Sequence, residues 1–386
     1  MRTPLAWLNL AHNRTRTVLA VAGVVFAVVL IFMQQGFLGS AETSAARVYE
    51  MLDFDVLIRS KRYLHMVDAR TFPRRRLHQA ASVAGVAEAS PFYLGSDYWT
   101  SPNKKDPKKR VILVLGVDPA RARFTIGELQ EKVGLLKVPE FVLIDRLSRR
   151  DFGPHNGHRF SDQDIDVETQ LGQARVRIAG HFPLGVGFVA DGAVVLSDEG
   201  FCRACPYQDI DEVNLGLLRL EPGASAEAVV KALREALPDD IDVLTRDDAM
   251  KAEVAHWVED TSIGVIFRLG VIVAVVVGAA IVYQVLSSDV ANHLPEYATL
   301  KAIGYSGNYL AGVVLQQAVL LALLGFLPGM FIAWGLYAVT HWLASVPIGM
   351  TWQRVAAVLG LSIGMCTISG LGALRKVRTA DPADLF

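Results

Sequence analysis

Long apolar runs alternate with polar segments along this chain, and four of the runs together contain a single charged residue, Arg268. The runs cover residues 17–38, 262–286, 310–338 and 355–374. About 20 mostly apolar residues cross a bilayer as a helix, so each run is long enough for one membrane span. Buried core helices of a water-soluble protein are the alternative, but four such runs in one chain favour membrane spans.

The first run could also belong to a cleaved signal peptide, because the small residues at 39–46 permit cleavage. However, the apolar part of a signal peptide is typically about 7–15 residues long. The run at 17–38 exceeds that length, which favours a retained transmembrane helix.

Basic residues near the ends of the spans predict the orientation of the chain. Arg14 and Arg16 precede the first span, and Arg375, Lys376 and Arg378 follow the fourth. We therefore expect a multi-pass protein of the inner (plasma) membrane with both termini in the cytoplasm. The segment between spans one and two is then periplasmic, and the connection between spans two and three is cytoplasmic.

The residues before the first span have the pattern of an amphipathic helix. Thr3 is a suitable N-cap and Pro4 suits the first helical position, while Trp7 and Leu8 lie on one apolar face. We predict an interfacial helix that leads into the first span, so that residues 1–38 form the first region of the chain.

The segment at 39–261 alternates strand-like stretches with a helical pattern. "DFDVLIRS", "VILVLGV", "FVLIDR", "ARVRIAG" and "VNLGLLRL" resemble strands, whereas "SAEAVVKALREALP" has helical spacing. We predict a large α/β domain here, ending in a helix over 246–264 that runs without a break into the second span. Residues 262–386 then hold spans two to four.

Composition agrees with a membrane protein. Of the 386 residues, 52% are hydrophobic and 20% are charged, and the mean hydropathy is +0.32. The net charge is −1, so the chain has no excess of basic residues that would indicate nucleic acid as a partner.

Sequence motifs for catalysis are scarce. The chain has no Gly-Lys dipeptide and hence no Walker A loop, and it has neither H-E-x-x-H nor G-x-S-x-G. "GVGFVA" at 185–190 matches G-x-G-x-x-A, but strand-like residues follow it where a nucleotide-binding motif needs a helix. We predict a chain that is not an enzyme and has no catalytic residue and no cofactor of its own.

The three cysteines do not suggest a metal site. Cys202 and Cys205 form one C-x-x-C pair and Cys366 lies alone in the fourth span, whereas a structural zinc site needs four ligands. The pair either forms a local disulfide outside the cytoplasm or remains two small apolar residues, and the sequence does not decide between these.

Glycines in the last two spans have the G-x-x-x-G spacing that allows close helix contact. These pairs are Gly325 with Gly329 and Gly360 with Gly364. We expect them to pack the four spans of one protomer against each other.

The connection at 289–309 contains a short helical pattern. Pro295 suits a first helical turn and acidic Glu296 complements the helix dipole. Tyr297, Leu300, Lys301 and Gly304 share one face, and Gly304 and Gly307 are expected to end the helix. A helix this short is only marginally stable by itself. We therefore expect residues 294–305 to dock on a partner or on the membrane domain.

At these residues the chain resembles the FtsX/MacB-type permeases of ABC transporters, and in particular the DevC branch. "PEYATLKAIGY" is similar to their signature: Glu296, Lys301, Ala302 and Gly304 match the general pattern, whereas Pro295, Tyr297 and Ala298 depart from it. "LAWLNLAHNRTRTVLAVAGV", "VLGVDP" and "ADPADLF" extend the resemblance over nearly the whole chain.

The resemblance implies a permease subunit that works as a homodimer with a separate ATPase, which binds the ATP and magnesium. The coupling helix, with Glu296, Tyr297, Leu300, Lys301 and Gly304, would contact that ATPase. Motion of the periplasmic domain would serve a tripartite exporter with a periplasmic adaptor and an outer-membrane channel.

Two other functions remain open. One is an FtsX-like regulator that transmits motion to a periplasmic cell-wall hydrolase, and the other is a membrane-anchored sensor or scaffold without an ATPase. The exported substrate does not follow from the sequence.

Overall fold

The computed structural model describes residues 7, 14–102, 108–185, 187–293, 295–296, 299, 303–344 and 346–379, and the chain divides into two units. The helical unit comprises Met1–Gly39, Ser262–His341 and Ile348–Phe386. The large domain comprises Ser40–Thr261 and Trp342–Pro347. Most of the predicted interfacial helix lies outside the described residues.

The α-helices of the described chain fall into four long apolar helices and five short ones. They are α1 (Arg14–Met51), α2 (Arg75–Ala81), α3 (Gly127–Lys132), α4 (Asp198–Ala204), α5 (Ala226–Ala236), α6 (Arg246–Ala255), α7 (Ser262–Asn292), α8 (Gly307–Ala344) and α9 (Trp352–Thr379). Short 3₁₀ helices cover Val133–Lys137, Arg150–Phe152 and Asp162–Asp164, and a π-helix covers His256–Asp260.

Four of these helices, α1, α7, α8 and α9, are long and apolar enough to cross a membrane. Each contains one of the four apolar runs, which confirms the predicted number and order of candidate spans.

Glycines allow the helices of the helical unit to pack closely. A Cβ atom added at Gly325 of α8 would lie 2.5 Å from a methyl carbon of Val24 in α1, and one at Gly329 would lie 2.7 Å from a methyl carbon of Val28. The expected internal packing is therefore confirmed for this pair. Gly360 and Gly364 of α9, in contrast, have open space within 4 Å among the described residues.

The large domain is built around a mixed nine-stranded sheet. Its strands are β1 (Val56–Ser60), β3 (Val86–Thr100), β4 (Lys109–Val117), β5 (Phe141–Asp145), β6 (Glu168–Leu171), β7 (Ala174–Phe182), β8 (Ala193–Ser197), β10 (Leu215–Leu220) and β11 (Ile241–Thr245). Their order is β11-β1-β10-β3-β4-β8-β5-β7-β6. A separate two-stranded sheet pairs β2 (Phe72–Pro73) with β9 (Glu212–Val213).

Both faces of the large sheet are buried along its central strands. Along β4, Ile112 and Val114 join one apolar cluster, whereas Leu113 and Leu115 join the cluster on the opposite face. Successive side chains of a strand point to opposite faces, so two buried faces give the continuous apolar run "VILVLGV". The predicted strands and the helix α5 are confirmed.

The predicted unbroken helix over 246–264 is wrong. After α6 the chain forms the π-helix, and Thr261 then adopts an extended conformation with φ −88° and ψ 155° before α7 begins. The Thr261 hydroxyl donates a hydrogen bond of 2.6 Å to the carbonyl oxygen of Trp257, which satisfies an acceptor that the interrupted helix leaves without its partner.

Candidate functional site

The connection between α7 and α8 is described only in part. Pro295, Glu296 and Thr299 are helical, and Glu296 is exposed. The hydroxyl of Thr299 donates to the carbonyl oxygen of Pro295 at 2.9 Å, and the Ile303 amide donates to the Thr299 carbonyl oxygen at 3.0 Å. Of the predicted contact residues, Tyr297, Leu300 and Lys301 lie outside the described residues.

Gly304 ends this stretch with a left-handed conformation. Its φ of +105° is one that L side chains rarely adopt, which agrees with the predicted need for glycine. Gly307, in contrast, is the first residue of α8 and does not end the preceding helix, so this part of the prediction is wrong. Ser306 lies just before α8, and its hydroxyl accepts a hydrogen bond of 3.3 Å from the Tyr309 amide.

Apolar side chains are exposed around Gly304. Ile303 is 72% exposed and Tyr305 is 46% exposed, and the Tyr305 ring lies 5.0 Å from the ring of Tyr309. A short polar connection that exposes such side chains is typical of a surface that docks on another protein or on lipid headgroups.

A polar cluster lies at the end of α7, just before this connection. Asp289 accepts a hydrogen bond of 3.3 Å from the Gln317 amide nitrogen of α8. The Nδ1 atom of His293 lies 3.5 Å from the Asp289 carboxylate, and Arg16 of α1 contributes a favourable charge interaction. The hydrogen bond between Gln317 and Asp289 thus links α8 to α7 within the helical unit, and Arg16 places a positive charge from α1 in the neighbourhood.

Two buried atoms of this cluster lack a hydrogen-bond partner among the described residues: Nη1 of Arg16 and Oε1 of Gln317. Gln317 itself is fully buried. Ionisable side chains within candidate spans are costly and typically face the interior of the bundle, so Asp289, with its polar neighbours, is a candidate functional residue. The apolar pattern of the sequence does not single out Asp289, because this residue follows the apolar run 262–286 and resembles part of the polar connection.

A second polar network lies inside the large domain and centres on Glu253 of α6, which is 1% exposed. Its carboxylate accepts hydrogen bonds from the Tyr63 hydroxyl at 2.7 Å, the Met66 amide at 2.9 Å and the Trp257 indole nitrogen at 3.0 Å. The Tyr63 hydroxyl in turn lies 2.9 Å from the hydroxyl of Tyr49 in α1. We call these residues the Glu253 network.

Within the large domain, the Glu253 network connects the C-terminal end of α1 to the π-helix that precedes α7 in sequence. Tyr49 belongs to the last turn of α1, and Trp257 belongs to the π-helix that precedes α7 in sequence. Burial raises the pKa of Tyr63 well above its usual value, as do the neighbouring Tyr49 and Glu253, so its hydroxyl remains a proton donor. π-helical turns are frequent at functional sites.

Two histidines flank this network. The rings of His65 and His256 stack with centroids 4.8 Å apart, and Trp257 packs edge-on against both. Burial, and then the neighbouring His256, lower the pKa of His65 below its ordinary value of 6.5. The Nδ1 atom of His256 lies 3.5 Å from the Asp260 carboxylate.

The cysteine pair is two free thiols, which favours the second of the two alternatives. Cys205 is buried in the core, and burial raises the pKa of Cys202 to about 11 and that of Cys205 to about 12. Reactive C-x-x-C thiols have lowered pKa values, so the shift opposes a redox role. Among the described residues, no group of three or more metal-binding side chains is close enough to hold a metal ion.

The last third of the chain matches a protein-family model. Residues 268–382 match the FtsX-like permease C-terminal model. This match includes most of α7, the connection with Glu296 and Gly304, and the helices α8 and α9.

Two curated relatives are similar along most of their length. They are uncharacterized ABC transporter permeases of Mycobacterium tuberculosis, one from strain CDC 1551 and one from strain H37Rv. Each is 24% identical over 372 residues, which is 94% of this chain and 93% of the relative.

Solved structures overlap with about half of the chain. The periplasmic region of MacB from Actinobacillus actinomycetemcomitans aligns with a TM-score of 0.37 and 9% identity, over 53% of this chain and 94% of that one. The extracellular domain of the transporter YknZ from Gram-positive bacteria aligns with a TM-score of 0.33 and 10% identity, over 50% of this chain and 98% of that one.

The family match and the two relatives point in the same direction. Residues 268–382 are similar to the FtsX-like permease C-terminal family, and the whole chain is similar to ABC transporter permeases.

Proposed function

We propose that this chain is the membrane permease subunit of an ABC-type export system, in which a separate ATPase subunit drives motion of the large domain. The observation that carries the proposal is the match of residues 268–382 to the FtsX-like permease C-terminal model. The four candidate spans and the similarity to ABC transporter permeases over 94% of the chain support it.

The ATPase docks on residues 294–305 in this proposal. Glu296, Tyr297, Leu300, Lys301 and Gly304 form the contact, and the exposed side chains of Ile303 and Tyr305 are next to it. Docking buries apolar surface, and it places Glu296 where a charge on the ATPase can pair with it. The alternative is that these residues only cap α8 at the lipid headgroups.

The Glu253 network gives the proposed motion a rigid route within the large domain. A hydrogen-bonded carboxylate that is 1% exposed holds Tyr63 and Trp257 in fixed positions, and Tyr63 contacts Tyr49 of α1. Fully satisfied buried polar networks are stiff, so a displacement of α1 would carry the π-helix with it.

The finer parts of the proposal follow the resemblance to the DevC branch. The chain acts as a homodimer in the inner membrane with both termini cytoplasmic. It works with a periplasmic adaptor and an outer-membrane channel. ATP and magnesium bind to the partner ATPase, so this chain is not itself an enzyme.

Purification of the tagged chain from its native membrane, followed by identification of the co-purifying proteins, tests the proposal. An ATPase together with an adaptor supports it. An ATPase together with a cell-wall hydrolase would instead support the FtsX-like regulator, and the absence of any ATPase would support the sensor or scaffold.

Variants of the connection test the docking surface. Glu296→Lys and Leu300→Asp should leave the chain inserted and dimeric, but reduce ATPase pull-down and abolish coupled hydrolysis, because each leaves an unpaired charge in the interface. Asn308→Ala, at an exposed position in the first turn of α8, is the control. Normal coupling in both charged variants would contradict the assignment.

A further inference from the structure

A cleft of about 590 Å³ opens on the large domain between the residues before β5, the β6–β7 hairpin and α4. Its charged lining consists of Glu140, Glu168, Arg175, Arg177 and Arg203. The volume lies within the range of roughly 300–1,000 Å³ that is typical of small-molecule sites. The Glu253 network and the connection at 294–305 do not share any residue with it.

Strand geometry places two of the arginines side by side. Arg175 and Arg177 are exposed and flank Val176, which is 2% exposed and part of the core, so both arginines project from the opposite face of β7. The third arginine, Arg203, comes from the last turn of α4.

Close packing fixes the distance between the walls of the cleft. Gly200 of α4 packs against Pro139, the residue before Glu140. A Cβ atom added at Gly200 would lie 2.5 Å from the carbonyl oxygen of Pro139. A larger residue at this position would push α4 away from Pro139. At the other wall, a Cβ atom added at Gly172, in the turn of the β6–β7 hairpin, would clash with the carbonyl oxygen of Ala204, so the end of α4 that carries Arg203 lies close to the hairpin.

Charge pairing within the cleft is incomplete. Arg177 forms an ion pair of 2.6 Å with Glu168, which lies opposite it on β6. Arg175 and Arg203 form no ion pair and no hydrogen bond with any described residue, and neither does the side chain of Glu140. The lining therefore holds two unpaired guanidinium groups against one unpaired carboxylate.

Structural roles explain only part of this arrangement. A basic residue in the last turn of a helix complements the helix dipole, which accounts for Arg203. It does not account for Arg175 on the neighbouring hairpin. Together, Arg175 and Arg203 add positive charge to a concave lining in which Glu140 is the unpaired carboxylate, and such a site concentrates the field on an anion.

We propose that this cleft binds a small oxyanion of the carboxylate or phosphate class through Arg175 and Arg203. The planar guanidinium group presents paired N–H donors that match the two oxygens of such an anion. The Arg177–Glu168 pair forms the adjacent wall and leaves the other two arginines free for the ligand. This inference does not depend on the proposed transport function.

Calorimetric titration of the full chain in phosphatidylcholine nanodiscs, at low ionic strength, tests the site with two probes, inorganic phosphate and citrate. We expect saturable binding of at least one probe, with affinity reduced at least tenfold in the double variant Arg175→Gln/Arg203→Gln. The double variant Arg62→Gln/Arg75→Gln removes two exposed arginines outside the cleft and should bind as the wild type does. Unchanged unfolding temperatures would show that both double variants fold.

A second set of nanodiscs that contain phosphatidylglycerol identifies the source of the ligand. Weaker binding of the probe in these discs would indicate competition by a lipid headgroup, and unchanged binding would indicate a free anion; either result supports an oxyanion site. Absence of saturable binding of both probes, or equal binding by the Arg175→Gln/Arg203→Gln variant, would overturn the proposal. Binding of a hexaglutamate peptide without either small probe would overturn it as well.

Discussion

The Tyr63 hydroxyl donates a hydrogen bond of 2.7 Å to the Glu253 carboxylate, although the two residues are 190 positions apart in the chain. The same carboxylate accepts from the Met66 amide and the Trp257 indole. One buried acid therefore joins the loop after β1 to the turn that precedes α7, and its loss would leave several buried donors without an acceptor.

Glu253→Ala should lower the free energy of unfolding by about 3 kcal/mol, because buried donors without a partner keep their full desolvation cost. Chemical denaturation of the detergent-solubilised chain measures this change. Glu235→Ala, on the exposed side of α5, is the matched control and should change stability by no more than about 0.5 kcal/mol. Equal losses in the two variants would show that the Glu253 network does not stabilise the domain.

The stack of His65 on His256 should make stability depend on pH. Burial and His256 lower the pKa of folded His65 below 6.5, although Glu253 and Asp68 act in the opposite direction. The unfolded chain then binds the proton more readily. The contribution to stability is therefore complete above about pH 6.5 and is lost as the pH falls through the lowered pKa.

Thermal unfolding at pH 7.5 and pH 5.5 checks this expectation. The unfolding temperature of the wild type should fall more than that of His65→Gln, which has no imidazole to protonate at this position. His158→Gln, at an exposed position, should behave as the wild type does. Parallel pH profiles for the wild type and His65→Gln would contradict the prediction.

Gly325 should tolerate no larger side chain. Gly325→Leu places a branched side chain where a Cβ atom alone would lie 2.5 Å from Val24 of α1, so we expect a loss of roughly 1–3 kcal/mol in the helical unit. Gly335→Leu, at an exposed position of the same helix where no described residue lies within 4 Å of an added Cβ atom, is the control. Denaturation in detergent should separate the two variants.

The left-handed conformation of Gly304 predicts a local effect. Gly304→Ala should loosen the end of the connection, since the alanine side chain disfavours a φ of +105° by about 1 kcal/mol. Gly307→Ala, where the backbone is helical and no atom of the described residues lies within 4 Å of an added Cβ, should be neutral or slightly stabilising. Hydrogen exchange at the Ile303 amide, which donates to Thr299, reports the difference. Identical exchange rates in the two variants would argue against strain at Gly304.

The four candidate membrane spans and most strands of the large domain could be predicted from the sequence. These elements follow from local physics: a span needs about 20 apolar residues wherever they occur, and a strand buried on both faces must be apolar at successive positions. Gly304 could also be predicted, because glycine adopts a φ near +105° without the steric cost that other residues meet there.

The contacts between polar groups far apart in the chain could not be predicted in this way and follow from the three-dimensional fold. From the sequence, Glu253 would be expected on the solvent-exposed side of a helix. Its side chain is instead 1% exposed, because Tyr63 and Met66 of the loop after β1 pack onto it. Likewise, Arg175 and Arg203 line one cleft only because α4 packs beside the β6–β7 hairpin. Such pairings depend on strand order and helix packing, which bring together residues far apart in the chain and which no local pattern encodes.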